Sequence, residues 1–225
     1  MRNRQPLIVG VGGTLRDGST SERALRLAVG FAAEMGCATE ILAGEAINLP
    51  PYDPANRQRG RGEKTLVEAL RRADGVILSS PGYHGTISGV LKNALDYTED
   101  LRGDPRAYLS DRAVGIVVCA DGIQAMGSTL GTLRSIAHAL RGWPTPFAAV
   151  VNSGATPFSA DGRCASTEVE QSLRLVAAQV VEFAQMRIAA DESEAASPDR
   201  GAEKPSSAEL TERMAAMEMT FRLMG

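Results

Sequence analysis

Along the chain, short runs of aliphatic and β-branched residues alternate with longer stretches in which apolar positions recur every three or four residues. The runs LIVGVG (7–12), ATEIL (38–42), GVILSS (75–80), AVGIVVCA (113–120) and FAAVV (147–151) predict five strands. The stretches 20–35, 63–73, 87–101 and 125–141 between them, and 167–187 after the last, predict five helices. Continuous apolar runs are what parallel strands need when both faces of a sheet are covered, and a helix between successive strands supplies each crossover. The pattern predicts an α/β domain over 1–187.

Five strands in regular alternation with five helices is the count of a flavodoxin-like three-layer sandwich, with a parallel sheet in the order 2-1-3-4-5. After it, IAADESEAASPDRGAEKPS (188–206) is poor in large apolar residues and rich in charge, Ala, Ser and Pro, which predicts a mobile linker. Ser206 and Glu209 then form a capping-box pair ahead of Leu210, Met214, Met217, Phe221 and Met224, predicting an extra C-terminal amphipathic helix over 207–225. Its apolar stripe suits an oligomerisation arm, the alternative being an unstructured tail.

Composition narrows the partners. The chain has 225 residues, 44% of them hydrophobic, enough to bury one full core. A net charge of −3 gives no basic face for nucleic acid or an anionic membrane surface, so small molecules are the expected partners. Three widely spaced cysteines, Cys37, Cys119 and Cys164, suggest neither a disulfide framework nor a zinc site and suit a reducing compartment. With no membrane-length apolar run and no signal-peptide organisation at the start, the expected location is the cytoplasm.

In an open parallel sheet, ligands bind at the carboxyl ends of the strands near the reversal of strand order. The loops there hold the chain's most unusual stretches: GTLRDGSTS after the first strand, PGYHGTISG after the third and DGIQAMG after the fourth. The first loop carries Gly13-x-x-x-x-Gly18-Ser19-Thr20, a phosphate loop with serine where a nucleoside-triphosphate site needs lysine. Nor is it a dinucleotide fingerprint, because Gly10-x-Gly12-x-x leads to Leu15.

What it offers is a cradle for a single phosphate, made of backbone N–H groups over 14–21, the hydroxyls of Thr14, Ser19, Thr20 and Ser21, and the Arg16 cation. The helix dipole contributes roughly 0.3–1 kcal/mol to such an anion, and each charge-assisted hydrogen bond about 1.5–3 kcal/mol. A second reading stays open, in which Ser19 and Glu22 form an ordinary capping box that closes the helix without a ligand.

These two motifs, Gly13 to Ser21 and Pro81-Gly82-Tyr83-His84-Gly85-Thr86-Ile87-Ser88-Gly89 running on to Asp96, resemble those of the NAD(P)H-dependent FMN reductases, a flavodoxin-like family, and the similarity covers about 1–185. The resemblance implies that Thr14, Arg16, Ser19 and Ser21 hold the FMN phosphate and that Pro81, Tyr83, His84 and Gly85 line the flavin ring. The chain departs from the common second motif at Gly82 and His84, where an acidic residue and an asparagine often stand, and at Ser21, where asparagine is frequent.

The remaining residues are read beside that resemblance. Gly82, Gly85 and Gly89 permit backbone close to a flat ring, and Asp121 and Gly122 stand where a turn would face it. Tyr83 is either a pocket wall or a core aromatic, and His84 either lines the pocket or serves as an acid. Gly127 and Gly131 suggest close approach of a neighbouring backbone or tight helix packing, and His138 reads as an interfacial or core residue. Arg57, Arg59 and Arg61 either meet the 2′-phosphate of NADPH or belong to a solvated loop, and Lys92 and Asp96 read as a solvated pair.

The expected function is hydride transfer from NADPH or NADH to FMN and on to a small-molecule acceptor such as free flavin, a quinone, an azo compound or a metal, in a homodimer or homotetramer, with no metal site and no catalytic side chain. The alternatives are a flavodoxin-type electron carrier and a non-redox flavin-binding module.

Overall fold

The computed structural model describes residues 4–159 and 161–196. The strands are β1 (Leu7–Gly12), β2 (Ala38–Ala43), β3 (Gly75–Pro81), β4 (Ala113–Ala120), β5 (Trp143–Pro144) and β6 (Ala149–Asn152); the helices are α1 (Thr20–Glu34), α2 (Arg61–Arg72), α3 (Gly89–Asp96), α4 (Ile123–Ala139) and α5 (Thr167–Ala196). All strands pair in parallel, in the order β2-β1-β3-β4-β5, with β6 also on β4. This is the flavodoxin-like arrangement that the alternation predicts.

The two-residue period of the strands divides the core. In β4, Val114, Ile116 and Val118 face the layer that contains Leu66 and Leu70 of α2, Leu91 of α3 and Leu133 of α4. Ala113, Val117 and Cys119 face the other layer, with Leu25 and Val29 of α1 and Val176 and Val180 of α5.

Three expectations need correction. The last strand is split: β5 pairs Trp143 and Pro144 with Ala113 and Val114, and β6 pairs from Ala149 with Val117 onward. Between them two residues of β4 (115–116) face four of the edge segment (145–148), because Pro144 and Pro146 have no N–H to give a ladder. The predicted third helix stops at Asp96 and continues as a 3-10 turn over Tyr97–Leu101.

The predicted linker is helical over its first nine residues, 188–196, since α5 runs to Ala196. Ala and Glu dominate that stretch, and both are strong helix formers whether or not they bury anything. Of the two units of the chain, Met1–Ala189 holds the sheet, and in Ala190–Gly225 the described residues are those up to Ala196. The rest of the expected linker and the helix over 207–225 lie outside the described residues.

Candidate functional site

The site begins where β1 ends. Gly12 has φ +141°, and a Cβ there would lie 1.9 Å from the Ser79 carbonyl oxygen, so only glycine lets β1 turn this close to β3. The Gly13 N–H donates to the same oxygen at 2.8 Å. Beyond it the loop is held by its own bonds: the Arg16 N–H donates to Thr14 Oγ1 (3.0 Å) and the Ser19 N–H to the Arg16 carbonyl (3.3 Å).

Ser19 caps α1, its Oγ accepting the Glu22 N–H at 3.3 Å. The Glu22 carboxylate reaches back to the Gly18 N–H at 3.0 Å, so the capping reading is right in kind, shifted by one residue at its return bond. Capping does not exhaust the loop. Among the described residues the N–H groups of Thr14, Leu15, Asp17, Thr20 and Ser21 have no protein acceptor, and exposed Arg16 makes no side-chain bond.

Buried serines tie the second loop to the first. Ser79 Oγ donates to the Ser21 carbonyl (2.8 Å), the Ser88 N–H donates to Ser80 Oγ (3.0 Å), and Ser88 Oγ both caps α3 and reaches the Gly13 carbonyl (3.4 Å). Tyr83 and Thr86 exchange backbone bonds of 2.8 and 3.0 Å around His84 (φ +50°) and Gly85 (φ +84°). Positive φ at both central residues is the mark of a type I′ turn. Gly82 donates its N–H to the Cys119 carbonyl at 2.8 Å, tying the start of the second loop to the end of β4, from which the third loop leaves.

These loops enclose a cavity of about 720 Å³. The first contributes Thr14, Arg16, Ser19, Thr20 and Ser21, the second Pro81, Gly82 and half-exposed Tyr83, and the third Asp121 and Gly122. His84 and Gly85 do not line it: they form the exposed tip of the turn, which carries the neighbouring Tyr83 to the cavity wall.

Sequence reasoning missed Leu15, Val90, Cys119, Ala120, Ala125 and Ser153. Ser153 follows β6, so the strand-end rule applied to the next strand in the sheet would have found it. Burial pushes the Cys119 thiol up to about 12, leaving it protonated at neutral pH as part of an apolar wall. Among the described residues no cluster of three or more His, Cys, Asp or Glu could hold a metal.

Other expectations changed. Arg59 is neither a solvated loop residue nor free for a phosphate: its guanidinium pairs with Asp100 at 2.7 and 2.9 Å and lies over the rings of Tyr52 and Tyr97 at 5.1 and 5.2 Å. Beyond the backbone of α4 itself, no atom of the described residues lies within 4 Å of where a Cβ on Gly127 or Gly131 would stand, and His138 is exposed. Both glycines lie on the outer face of α4 and serve no close packing among the described residues. Lys92 and Asp96 form the expected exposed pair at 2.6 Å.

The donor set matches a monophosphate, with amides at a helix N-terminus, hydroxyls and one guanidinium unengaged among the described residues, and the cleft beside it is lined by Pro81, Gly82, Tyr83, Ala120 and Gly122. The chain is 34% identical over 122 residues to an FMN-dependent NADPH-azoreductase of Staphylococcus aureus, a match spanning 53% of this chain and 61% of that protein. It thus spans about three-fifths of the length of the curated relatives it matches.

Among solved structures it resembles the flavoenzyme NAD(P)H:(acceptor) oxidoreductase FerB of Paracoccus denitrificans (TM-score 0.64, 18% identity, 81% of this chain and 98% of that one). It also resembles the apo form of the NADH:FMN oxidoreductase EMOB (TM-score 0.59, 18% identity, 78% and 90%). These two likenesses concern the fold. The described residues contain no helix long and apolar enough to cross a membrane. Residues 6–156 match the NADPH-dependent FMN reductase family, and the chain belongs to that family.

Proposed function

We propose that this chain binds FMN in the cavity between its three strand-end loops and oxidises NADPH or NADH to reduce a small-molecule acceptor. The observation that carries this reading is the convergence in one cavity of a metal-free monophosphate cradle and a cleft able to take a flat ring. Thr14, Arg16, Ser19, Thr20 and Ser21 hold the phosphate; Pro81, Gly82 and Tyr83 form one wall of the ring site, and Asp121 with Gly122 the other. When bound, FMN supplies the hydride chemistry at its N5, and the protein supplies position and electrostatics.

The azo-reducing activity in the name of the S. aureus relatives supports azo compounds as one acceptor class, beside quinones and free flavin. A homodimer or homotetramer belongs to the same reading, and so does the cytoplasm, a reducing compartment that suits the three free cysteines.

The test is a visible spectrum of the purified protein with and without added FMN, followed by NADPH and NADH oxidation under air. Flavin binding with nucleotide oxidation is expected. Protein that binds no FMN and oxidises neither nucleotide overturns the reading, and flavin binding with rapid one-electron exchange but no nucleotide oxidation points to an electron carrier.

A further inference from the structure

Beneath the phosphate loop lies a carboxylate that the proposed function does not use. Glu22 is in the first turn of α1 and is 3% exposed. One of its oxygens accepts the Gly18 N–H at 3.0 Å, and the other takes two bonds from the exposed Arg26 guanidinium, at 2.9 and 2.7 Å. A negative charge this close to an anion site opposes the anion unless a cation answers it. The arrangement is odd for a cap alone, because an ordinary capping box needs no arginine.

We propose that Glu22 is the positioning residue of the phosphate loop and Arg26 its charge compensator, so that the pair sets the affinity for the phosphate without touching it. The inference rests on the FMN reading above and deepens it.

Two features make the link mechanical. Gly18 stands at φ +64°, a left-handed conformation that glycine adopts without strain, and its N–H is tied to the Glu22 carboxylate at 3.0 Å. With Gly18 fixed, the neighbouring Asp17, Thr20 and Ser21 N–H groups stay free of protein acceptors.

The other nearby cation is already committed. Arg23 donates to the Ser159 carbonyl at 2.9 Å, and its Nη2 lies 3.3 Å from where a Cβ on Gly18 would stand. It braces the back of the turn, leaving Arg26 to neutralise Glu22 and Arg16 to face the cavity.

Dissociation constants for FMN and for riboflavin, which has the same ring and no phosphate, separate this role from a merely structural one. They are to be measured by flavin fluorescence for the wild-type chain and for Glu22→Ala, Glu22→Gln and Arg26→Ala. Loss of a charge-assisted contact predicts that Glu22→Ala weakens FMN binding by about tenfold or more while riboflavin changes by less than about twofold.

Glu22→Gln, which keeps an oxygen for Gly18 and drops the charge, should bind FMN within about threefold of wild type. Arg26→Ala leaves the carboxylate uncompensated and should weaken FMN by about threefold to tenfold at low salt, with the deficit shrinking as salt screens it. Arg26 is a surface residue, so this variant reports even if Glu22→Ala fails to fold. Unchanged FMN affinity in Arg26→Ala, or equal losses for FMN and riboflavin, would overturn the proposal and leave the FMN reading standing. A wild-type chain that binds neither flavin would defeat that reading itself.

Discussion

At the residue scale the site depends on a few side chains whose neighbours leave them free and on a few backbone angles that restrict what can stand there. Arg16 is the unengaged cation of the phosphate loop, lining the cavity with no protein partner among the described residues. Arg16→Ala should weaken FMN binding by roughly 1.5–3 kcal/mol, the worth of one charge-assisted bond, as read by fluorescence titration; an unchanged constant would move the phosphate elsewhere. His84 is a different case. It sits at φ +50° at the first central position of a type I′ turn, outside the cavity. Asparagine is the residue such a position prefers, which gives the family's frequent asparagine a backbone reason and removes the need for an imidazole. We therefore expect His84→Asn to leave the rate of nucleotide oxidation within about twofold and stability equal or slightly higher, whereas His84→Val, β-branched in a left-handed conformation, should cost about 1–3 kcal/mol in thermal unfolding. A large loss of rate in the asparagine variant would restore an acid role for the histidine.

At the element scale, strand ends and helix caps are coupled. Ser88 accepts the Leu91 N–H as the cap of α3 and also reaches the Gly13 carbonyl, so one hydroxyl serves a helix and the phosphate loop. Ser88→Ala should lower stability in urea unfolding by about 1–2 kcal/mol, toward the upper end of what a cap is worth, because a second bond goes with it; a loss below a few tenths would mean that neither bond contributes. Such couplings mark the limit of what the sequence reveals. The five-strand rhythm, the strand order and the loops that build the cavity were legible because they rest on hydrophobic period and on a topological rule. The hidden parts are those fixed by partners far along the chain or by competing local preferences. Arg59 looked like a loop cation because Asp100, its partner, is 41 residues away. The end of α5 looked like a linker because its residues bury little, while their helix propensity was read too lightly. Ser79 and Ser80 looked like strand residues at the margin of an apolar run, and only the fold shows that their hydroxyls lock two loops together.

At the scale of the whole sheet, the two ends do different work. The carboxyl ends of the strands make the cavity; the opposite end is tied by a buried cation. Arg112, at the foot of β4 and 1% exposed, donates to the carbonyl oxygens of Arg71 (2.9 Å), Ala73 (3.0 Å) and Ser110 (3.0 Å). Beside it Asp74 accepts the Leu7 N–H at 2.9 Å and pairs with Arg4 at 2.6 Å. Burial, helped by nearby Arg106, lowers the Arg112 guanidinium to about 10, so it stays charged at neutral pH. Its folded value lies below its unfolded one, so between about pH 10 and the unfolded value the unfolded chain binds the extra proton, and this group's contribution to stability rises with pH there and is flat below it. Replacing a buried ion pair by apolar residues can be neutral, but here the acceptors are main-chain carbonyls that no substitution removes. Arg112→Met fills much of the volume yet strands those oxygens, and should cost about 3–5 kcal/mol in urea unfolding. The same variant, kept in conditions where it is folded, should bind FMN as wild type does, because the cavity is at the other end of the strands. A variant that keeps its unfolding midpoint would show that water satisfies the carbonyls; one that stays folded but loses FMN would show that the two ends of the sheet communicate.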